Sequence, residues 1–368
     1  MSKKNSREKL YSILILLPSV ILVGIFVYGF IGTTIYSSMT DWKGMSADPV
    51  KNFIGLENYK TLFTSFTQIG FRQDLVNTVF YTVILLLGTL SVGLFLAILL
   101  DRKVRYEALY RTIFLYPMAL SFIVSGTVWR WLLAPSGGLN VIPTWLGGEK
   151  GNFQWISSKV QVLQFNWQNI FHIFFIVVLG VFIILLLVSI KKRNKKAIIK
   201  HSIICGLLAL FAFLVLPLLP PPLAEEETHG FNLATIGIIF AGVWQYSGYA
   251  MALYLAGLRG LPESIRESAK LDGANEFMYY WKIAIPNLRP ITMSAIVILA
   301  HISLKMFDLI YAMAGTDNEF TGHPSVRMYT TTFRANKLAL GSAMAVILFL
   351  FAALFIIPYM VRSHRERG

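Results

Sequence analysis

Eight long apolar stretches, at residues 10–37, 76–100, 111–134, 167–190, 200–220, 232–257, 291–312 and 338–361, constrain what this sequence can fold into. Each suits a crossing of the hydrocarbon layer of a bilayer, which takes about 20 mainly apolar residues. Hydrocarbon offers backbone amides no partner, so a spanning segment must close its own hydrogen bonds as a helix. Only 14% of the residues are charged and 55% are hydrophobic, whereas about a quarter are charged in an ordinary soluble domain. One aqueous core cannot hide that much apolar surface. The expected fold is an all-α integral membrane protein, a polytopic helical bundle of eight spans. The basic stretch Met1 to Lys9 precedes a long apolar run without a convincing small-residue cleavage site, and reads as the start of a retained first helix. Cys205 is alone, which excludes an intrachain disulfide and suits a small packing residue.

Charge sets the orientation. With a cytoplasmic N-terminus, the inner segments carry 22 Lys and Arg against 8 Asp and Glu, and the outer segments 9 against 10. Cytoplasmic loops are the ones enriched in Lys and Arg, so both termini are expected in the cytoplasm. One span more or fewer would put either the Lys191 to Lys196 cluster or the polar segment 258–290 on the wrong side. The net charge of +14 could suggest nucleic acid. The charges are scattered over short inner segments without a stacking platform or nucleic-acid fold signature, so no nucleic acid is expected. Membrane lipids with anionic headgroups fit better, and Lys191, Lys192, Arg193, Lys195 and Lys196 read as an orientation anchor.

Between two apolar runs lies a polar island, Gly260 to Pro290. It reads as two short helices around a glycine. Pro262 suits a first helical turn with Glu263 supplying negative charge at that end, and Gly273 can take the left-handed conformation that ends a helix. Asn275 then starts a second helix, which Pro286 is expected to stop. An amphipathic helix-turn-helix on the cytoplasmic face is suited to plug a groove on a soluble partner.

The order Glu267-Ser268-Ala269, three residues, Gly273, nine residues, Ile283, one residue, Ile285-Pro286 resembles the EAA loop of the permease subunits of binding-protein-dependent ABC importers. Ser268 and Ile285 depart mildly from that pattern. Phe53 to Tyr59, Tyr110-Arg111-Thr112 to Pro117 and Trp129 to Leu132 are similar to maltose-type first permease subunits. Ala256-Gly257-Leu258 and His301 to Asp308 resemble the glucose-type branch of that carbohydrate family. The resemblance implies a six-helix importer core, with residues 157–231 an inserted helix pair expected at the lipid-facing periphery. The remaining parts would be 1–75 (tail, first span and outer loop), 76–156 (core spans two and three) and 232–368 (core spans four to six with coupling loop 258–290). It implies alternating access driven by ATP hydrolysis elsewhere, in a bacterial or archaeal plasma membrane. The implied partners are a second permease subunit, two ATP-binding subunits that hold ATP and Mg²⁺, and an extracytoplasmic sugar-binding protein. The implied ATPase-coupling residues are Glu263, Glu267, Ser268, Ala269, Gly273, Ile283 and Pro286.

No Gly-x-x-x-x-Gly-Lys-Ser/Thr phosphate loop occurs in the chain, so any ATP must be handled by another subunit. No His or Cys group has metal spacing, and nothing suggests covalent catalysis. Transport instead needs polar groups at membrane depth. In the seventh stretch, His301, Lys305 and Asp308 recur at helical spacing and are expected on one inward face, as a brace or as part of the path. In the sixth, Trp244, Gln245, Ser247 and Tyr249 offer rings and hydrogen-bonding groups suited to a sugar, or else pack between helices. Tyr116, Ser121 and Ser125 are weaker candidates, and Trp129 and Trp131 suit an aromatic belt. Outer loops 41–75 and 135–166 are large enough to meet a binding protein, and Gly315-Thr316-Asp317 departs from the Gly-Gly-Pro usual in the resembled family. Ion-coupled secondary transport through His301 and Asp308 is one alternative, and an ABC permease for a non-sugar solute is another. A membrane transferase is a third, but the only dense acidic run, Glu225-Glu226-Glu227, reads as a solvated outer loop.

Overall fold

The fold is given by a computed structural model that describes residues 14–44, 52–102, 104–218, 223, 225–316 and 318–367. Met1 to Lys9, the run Leu219 to Pro222 and Asp317 lie outside the described residues. In chain order, α1 spans Leu14–Ser38, α2 Glu57–Thr64 and α3 Ile69–Asp101. The pair α4 (Glu107–Ala119) and α5 (Phe122–Leu132) is bent by 96°. Strand β1 (Gln161–Asn166) leads into α6 (Ile170–Lys191) and α7 (Lys195–Leu210), followed by β2 (Thr228–Asn232). Next come α8 (Thr235–Arg259), α9 (Glu263–Leu271), α10 (Glu276–Asn287) and α11 (Arg289–Leu304), with a 65° bend between the last two. Helices α12 (Asp308–Ala314), α13 (Pro324–Tyr329) and α14 (Leu338–Arg367) complete the chain.

Among the described residues five helices are long and apolar enough to cross a membrane, or up to seven if each bent pair counts as one span. Helix α14 adds a shorter apolar stretch, Leu338–Leu354. Thus each of the eight apolar runs meets helix, but two are not continuous. The run 111–134 breaks at Leu120 and Ser121, where the backbone turns extended. Pro117 lacks the N–H of a regular turn, and Ser121 restarts the helix by accepting from the Ile123 N–H at 3.2 Å. The run 291–312 breaks after Leu304, so His301, Lys305 and Asp308 do not share one helical face. The break is held from outside: the Ser325 hydroxyl donates to the freed Met306 carbonyl at 3.0 Å. Pro286 does not stop the second polar helix, which runs on to Asn287 through a widened turn at Tyr280–Ala284. Such a turn relaxes the crowding a proline causes, and the bend falls instead at Leu288, just before Pro290 opens α11.

Strands β1 and β2 pair antiparallel, Gln161 opposite Asn232 and Asn166 opposite Thr228. This small sheet is the exception to an otherwise helical fold, and it brings the two ends of segment 157–231 together. Helices α6 and α7 pack on each other, with Phe175 and Phe211 rings 4.7 Å apart. Only 6% and 11% of their apolar windows are buried, which leaves most of their surface for lipid or another subunit.

The core forms where α3 crosses α8. Small residues allow the approach: a side chain at Gly88 of α3 would come within 2.8 Å of Val243, and a side chain at Gly248 of α8 would strike the Phe114 carbonyl of α4. Around this crossing one apolar cluster gathers Tyr81, Leu85, Ile238 and Leu299. A second, Leu100, Met251, Leu258 and Tyr279, ties the polar island to the bundle.

Candidate coupling site and membrane pathway

The polar island folds as two helices joined at Gly273, whose φ is +78°. A Cβ there would meet nothing within 4 Å, so the demand for glycine comes from the backbone alone. The Ala274 N–H donates to the Ala269 carbonyl at 2.9 Å and the Gly273 N–H to Lys270 at 3.0 Å, closing α9 as a Schellman motif. The Asn275 side chain then caps α10 by accepting from the Met278 N–H at 2.8 Å.

Arg266 locks the two helices to the bundle. Its guanidinium pairs with Glu276 of α10 at 2.7 Å and with Asp101, the last residue of α3, at 3.3 Å. It also lies over the Tyr279 ring at 5.1 Å. The Tyr280 hydroxyl donates to Asp101 at 2.6 Å. Beside this cluster, Arg259 pairs with Glu107 at 2.8 Å and donates to the Leu100 carbonyl at 3.2 Å. Charge-assisted bonds of this kind hold position better than isolated surface pairs because several share one site.

The opposite side of the two helices is bare. Leu271 is 89% exposed, Phe277 75% and Trp281 66%, and the Phe277 and Trp281 rings stack 6.1 Å apart. Glu263, Glu267, Ser268, Gly273 and Pro286 are exposed as well, whereas Ala269 is buried and Ile283 half-buried beneath them. The predicted residues thus divide into an outward set and a packing set. Asp101, Arg266, Glu276 and Tyr280 were missed, because their pairing crosses elements far apart in sequence. Exposed Leu271, Phe277 and Trp281 were missed too, although such aromatics in a polar segment are a readable sign of a docking face.

Within the membrane-spanning part, the α8 candidates do not act as one group. Gln245 is 1% exposed and donates to the Pro117 carbonyl at 2.6 Å and the Leu120 carbonyl at 3.2 Å. It satisfies the Leu120 carbonyl at the break between α4 and α5 and adds a second donor to the Pro117 carbonyl, which also accepts from the Leu120 N–H at 3.3 Å. Trp244 packs edge-on against Trp129 with centroids 5.8 Å apart, Ser247 donates to the Trp244 carbonyl, and Tyr249 packs against the central cluster. His301 is half-buried, and Lys305 and Asp308 are exposed. No ion pair joins those two among the described residues, since a helix break separates them.

The N-terminal end of α3 carries a second set of anchors. Arg72 is fully buried, forks onto the Glu227 carboxylate, and donates to the Leu62 and Ser65 carbonyls at 3.0 Å each. Glu227 also pairs with buried His229, whose other ring nitrogen meets Gln73 at 2.9 Å. Glu227 is therefore a brace rather than a solvated loop residue. Burial pushes its carboxyl upward, yet hydrogen bonds from Arg72 and His229 outweigh this and hold it below the usual range. Burial likewise pulls His229 below the ordinary histidine value, with Glu227 opposing. Two residues further along α3, Asp74 is bound by Arg327. Among the described residues no group of three or more His, Cys, Asp or Glu is gathered as a metal site would need.

Residues 202–366 match the family described as binding-protein-dependent transport system inner membrane component. The chain is 33% identical over 364 residues to a probable ABC transporter permease of Pyrococcus horikoshii, covering 98% of both chains. It is 28% identical to a xylose/arabinose import permease of Haloferax volcanii, over 95% of this chain and 86% of that one. It is 25% identical to a glucose import system permease of Saccharolobus solfataricus, over 96% and 97%. In fold, the chain is similar to a crystal structure of a bacterial ABC transporter that imports the acidic polysaccharide alginate, with a TM-score of 0.64, 17% identity and 98% of each chain covered. A second structure, of the bacterial alginate transporter with an alginate pentasaccharide-bound periplasmic protein, gives a TM-score of 0.66 at 17% identity, over 99% of this chain and 98% of that one. With a two-helix polar loop locked onto a bundle of apolar helices and relatives aligned over nearly their whole length, this chain belongs to the family of ABC transporter permeases, the inner membrane components of binding-protein-dependent transport systems.

Proposed function

We propose that the chain is one of two pore-forming subunits of a sugar importer, carrying a monosaccharide or small oligosaccharide inward by alternating access. Support for a sugar comes from relatives named for xylose/arabinose, glucose and trehalose/maltose transport. The chain would cross the membrane eight times with both termini cytoplasmic, which fits the distribution of Lys and Arg. ATP and Mg²⁺ would be held by two separate ATP-binding subunits, and an extracytoplasmic protein would deliver the sugar. The observation that carries the reading is the bare face of α9 and α10, with Glu263, Glu267, Leu271, Phe277 and Trp281 exposed above the Arg266 lock. An acidic and aromatic two-helix face fits a groove on an ATPase subunit. Closure of the ATPase pair would then move the locked loop and α3 together, a rigid-body switch between two packed states.

The experiment is purification of the tagged chain in mild detergent from its native membrane, with ATPase assayed against single sugars in the presence of the extracytoplasmic protein. Recovery of a second permease and a Walker-type ATPase, with one sugar raising hydrolysis, is the expected result. Recovery of the chain without an ATPase would overturn the reading.

A further inference from the structure

The cavity above the N-terminal end of α3 is not used by anything derived so far. It has a volume of about 310 Å³ and lies between the end of α12, residues 315–316 and 318–323, and α13. Small-ligand pockets begin at about this size, so a single ring fits better than a chain. Asp74 and Asp101 sit near opposite ends of α3, about 40 Å apart at roughly 1.5 Å per residue. The cavity is therefore remote from the coupling loop.

Its lining holds hydrogen-bonding capacity that the protein does not use. Thr321 is 2% exposed, and its hydroxyl has no partner. His323 is also 2% exposed, and its Nε2 has no hydrogen-bond partner. Unpartnered buried polar groups are costly, so two lining one cavity call for an occupant. Arg327 binds Asp74 through Nε and Nη2, which leaves Nη1 without a protein acceptor among the described residues. Glu319 stands exposed at the rim and enters no ion pair among the described residues. Gly322 keeps the floor open, since a Cβ there would collide with the Asp74 carboxylate.

These groups choose the class of ligand. Two carboxylates against one guanidinium disfavour an anion. The free guanidinium edge disfavours a cation. A neutral molecule dense in hydroxyls, each both donor and acceptor, matches all of them, and Ile310 and Val326 offer apolar wall to its C–H face. We propose that this cavity is a second sugar site, separate from any site deeper in the membrane, that holds one sugar ring at the outer mouth of the pathway. This rests on the sugar-importer reading above.

The test uses the complete importer in nanodiscs, without nucleotide or extracytoplasmic protein, in a Cys205→Ser background. Thr330→Cys, lining the cavity, reports occupancy by its rate of maleimide labelling, and Lys159→Cys serves as the exposed control. Glucose, xylose, maltose and trehalose are titrated singly. The expected result is that one of them slows labelling of Thr330→Cys several-fold, leaves Lys159→Cys unchanged, and loses this protection when Thr321→Val is added. Unchanged labelling with all four, or equal slowing at both positions, overturns the site. Sugar-stimulated ATPase with the extracytoplasmic protein is measured on the same preparation: stimulation without protection removes this site alone, and absence of both removes the importer reading with it.

Discussion

The Tyr280 hydroxyl and the Asp101 carboxylate meet at 2.6 Å, joining the polar loop to the last residue of α3. Helix α3 is 33 residues long, so about 50 Å of rod starts at that contact. Its other end holds Arg72 bound to Glu227 and Asp74 bound to Arg327. A displacement of the loop would thereby be conveyed along α3 to the far end.

Asp101→Asn keeps the shape and a hydrogen-bond acceptor for Tyr280 but removes the charge that Arg266 meets. ATPase subunits should still co-purify, while stimulation of hydrolysis by sugar falls several-fold and basal hydrolysis stays. Loss of the ATPase subunits themselves would instead assign Asp101 to assembly.

Glu267 is exposed and makes no ion pair among the described residues, so Glu267→Ala should not disturb the fold. Transport and sugar-stimulated hydrolysis should drop together, with an unchanged melting temperature. Normal transport in this variant would remove Glu267 from the coupling face.

Gly273 tolerates a side chain sterically but not torsionally. A β-branched residue in the left-handed region costs about 1–2 kcal/mol, and asparagine less. Gly273→Val should therefore weaken ATPase association more than Gly273→Asn, measured by co-purification at matched expression. Equal effects would indicate a steric cause.

Glu227 and His229 both have depressed pKa values, so each favours its deprotonated form in the folded state. Their contribution is complete above the unfolded values of 6.5 and 4.5 and is lost as pH falls through the folded ones. The brace should loosen as pH falls through the folded values, which lie below 6.5 for His229 and below 4.5 for Glu227. Trp167, edge-on to His229 at 5.2 Å, makes this visible as a fluorescence change. His229→Phe should change the pH profile of this fluorescence, and an unaltered profile would locate the titration elsewhere.

Gln245→Leu removes one of the two donors to the Pro117 carbonyl and leaves the Leu120 carbonyl unpaired at the bend between α4 and α5, at about 1–3 kcal/mol. The melting temperature of the complex should fall by several degrees, whereas Tyr249→Phe should leave it in place. An unchanged stability with altered sugar preference would return Gln245 to the substrate path.

The loop was legible because its cues are local: Gly273 must take a positive φ, Asn275 can cap its own helix, and Pro262 suits a start. Helix breaks were not, because their causes are remote. Nothing near Lys305 announces a break; it is held by Ser325, on α13. Pro286 misled for the converse reason, since a widened turn relaxes the clash that a regular helix would impose. Glu227 looked solvated in sequence because its partner Arg72 lies 155 residues away. Gln245 has the chemistry of a sugar contact and is used on the backbone of a broken helix.

The most direct test is cross-linking from Glu267→Cys, in a Cys205→Ser background, within the intact complex. A cross-link to the ATPase subunit that also forms from Phe277→Cys, on the same bare face, and not from Lys159→Cys, is the expected result. An intact, sugar-stimulated complex with no cross-link from either loop position would contradict docking of this face on the ATPase.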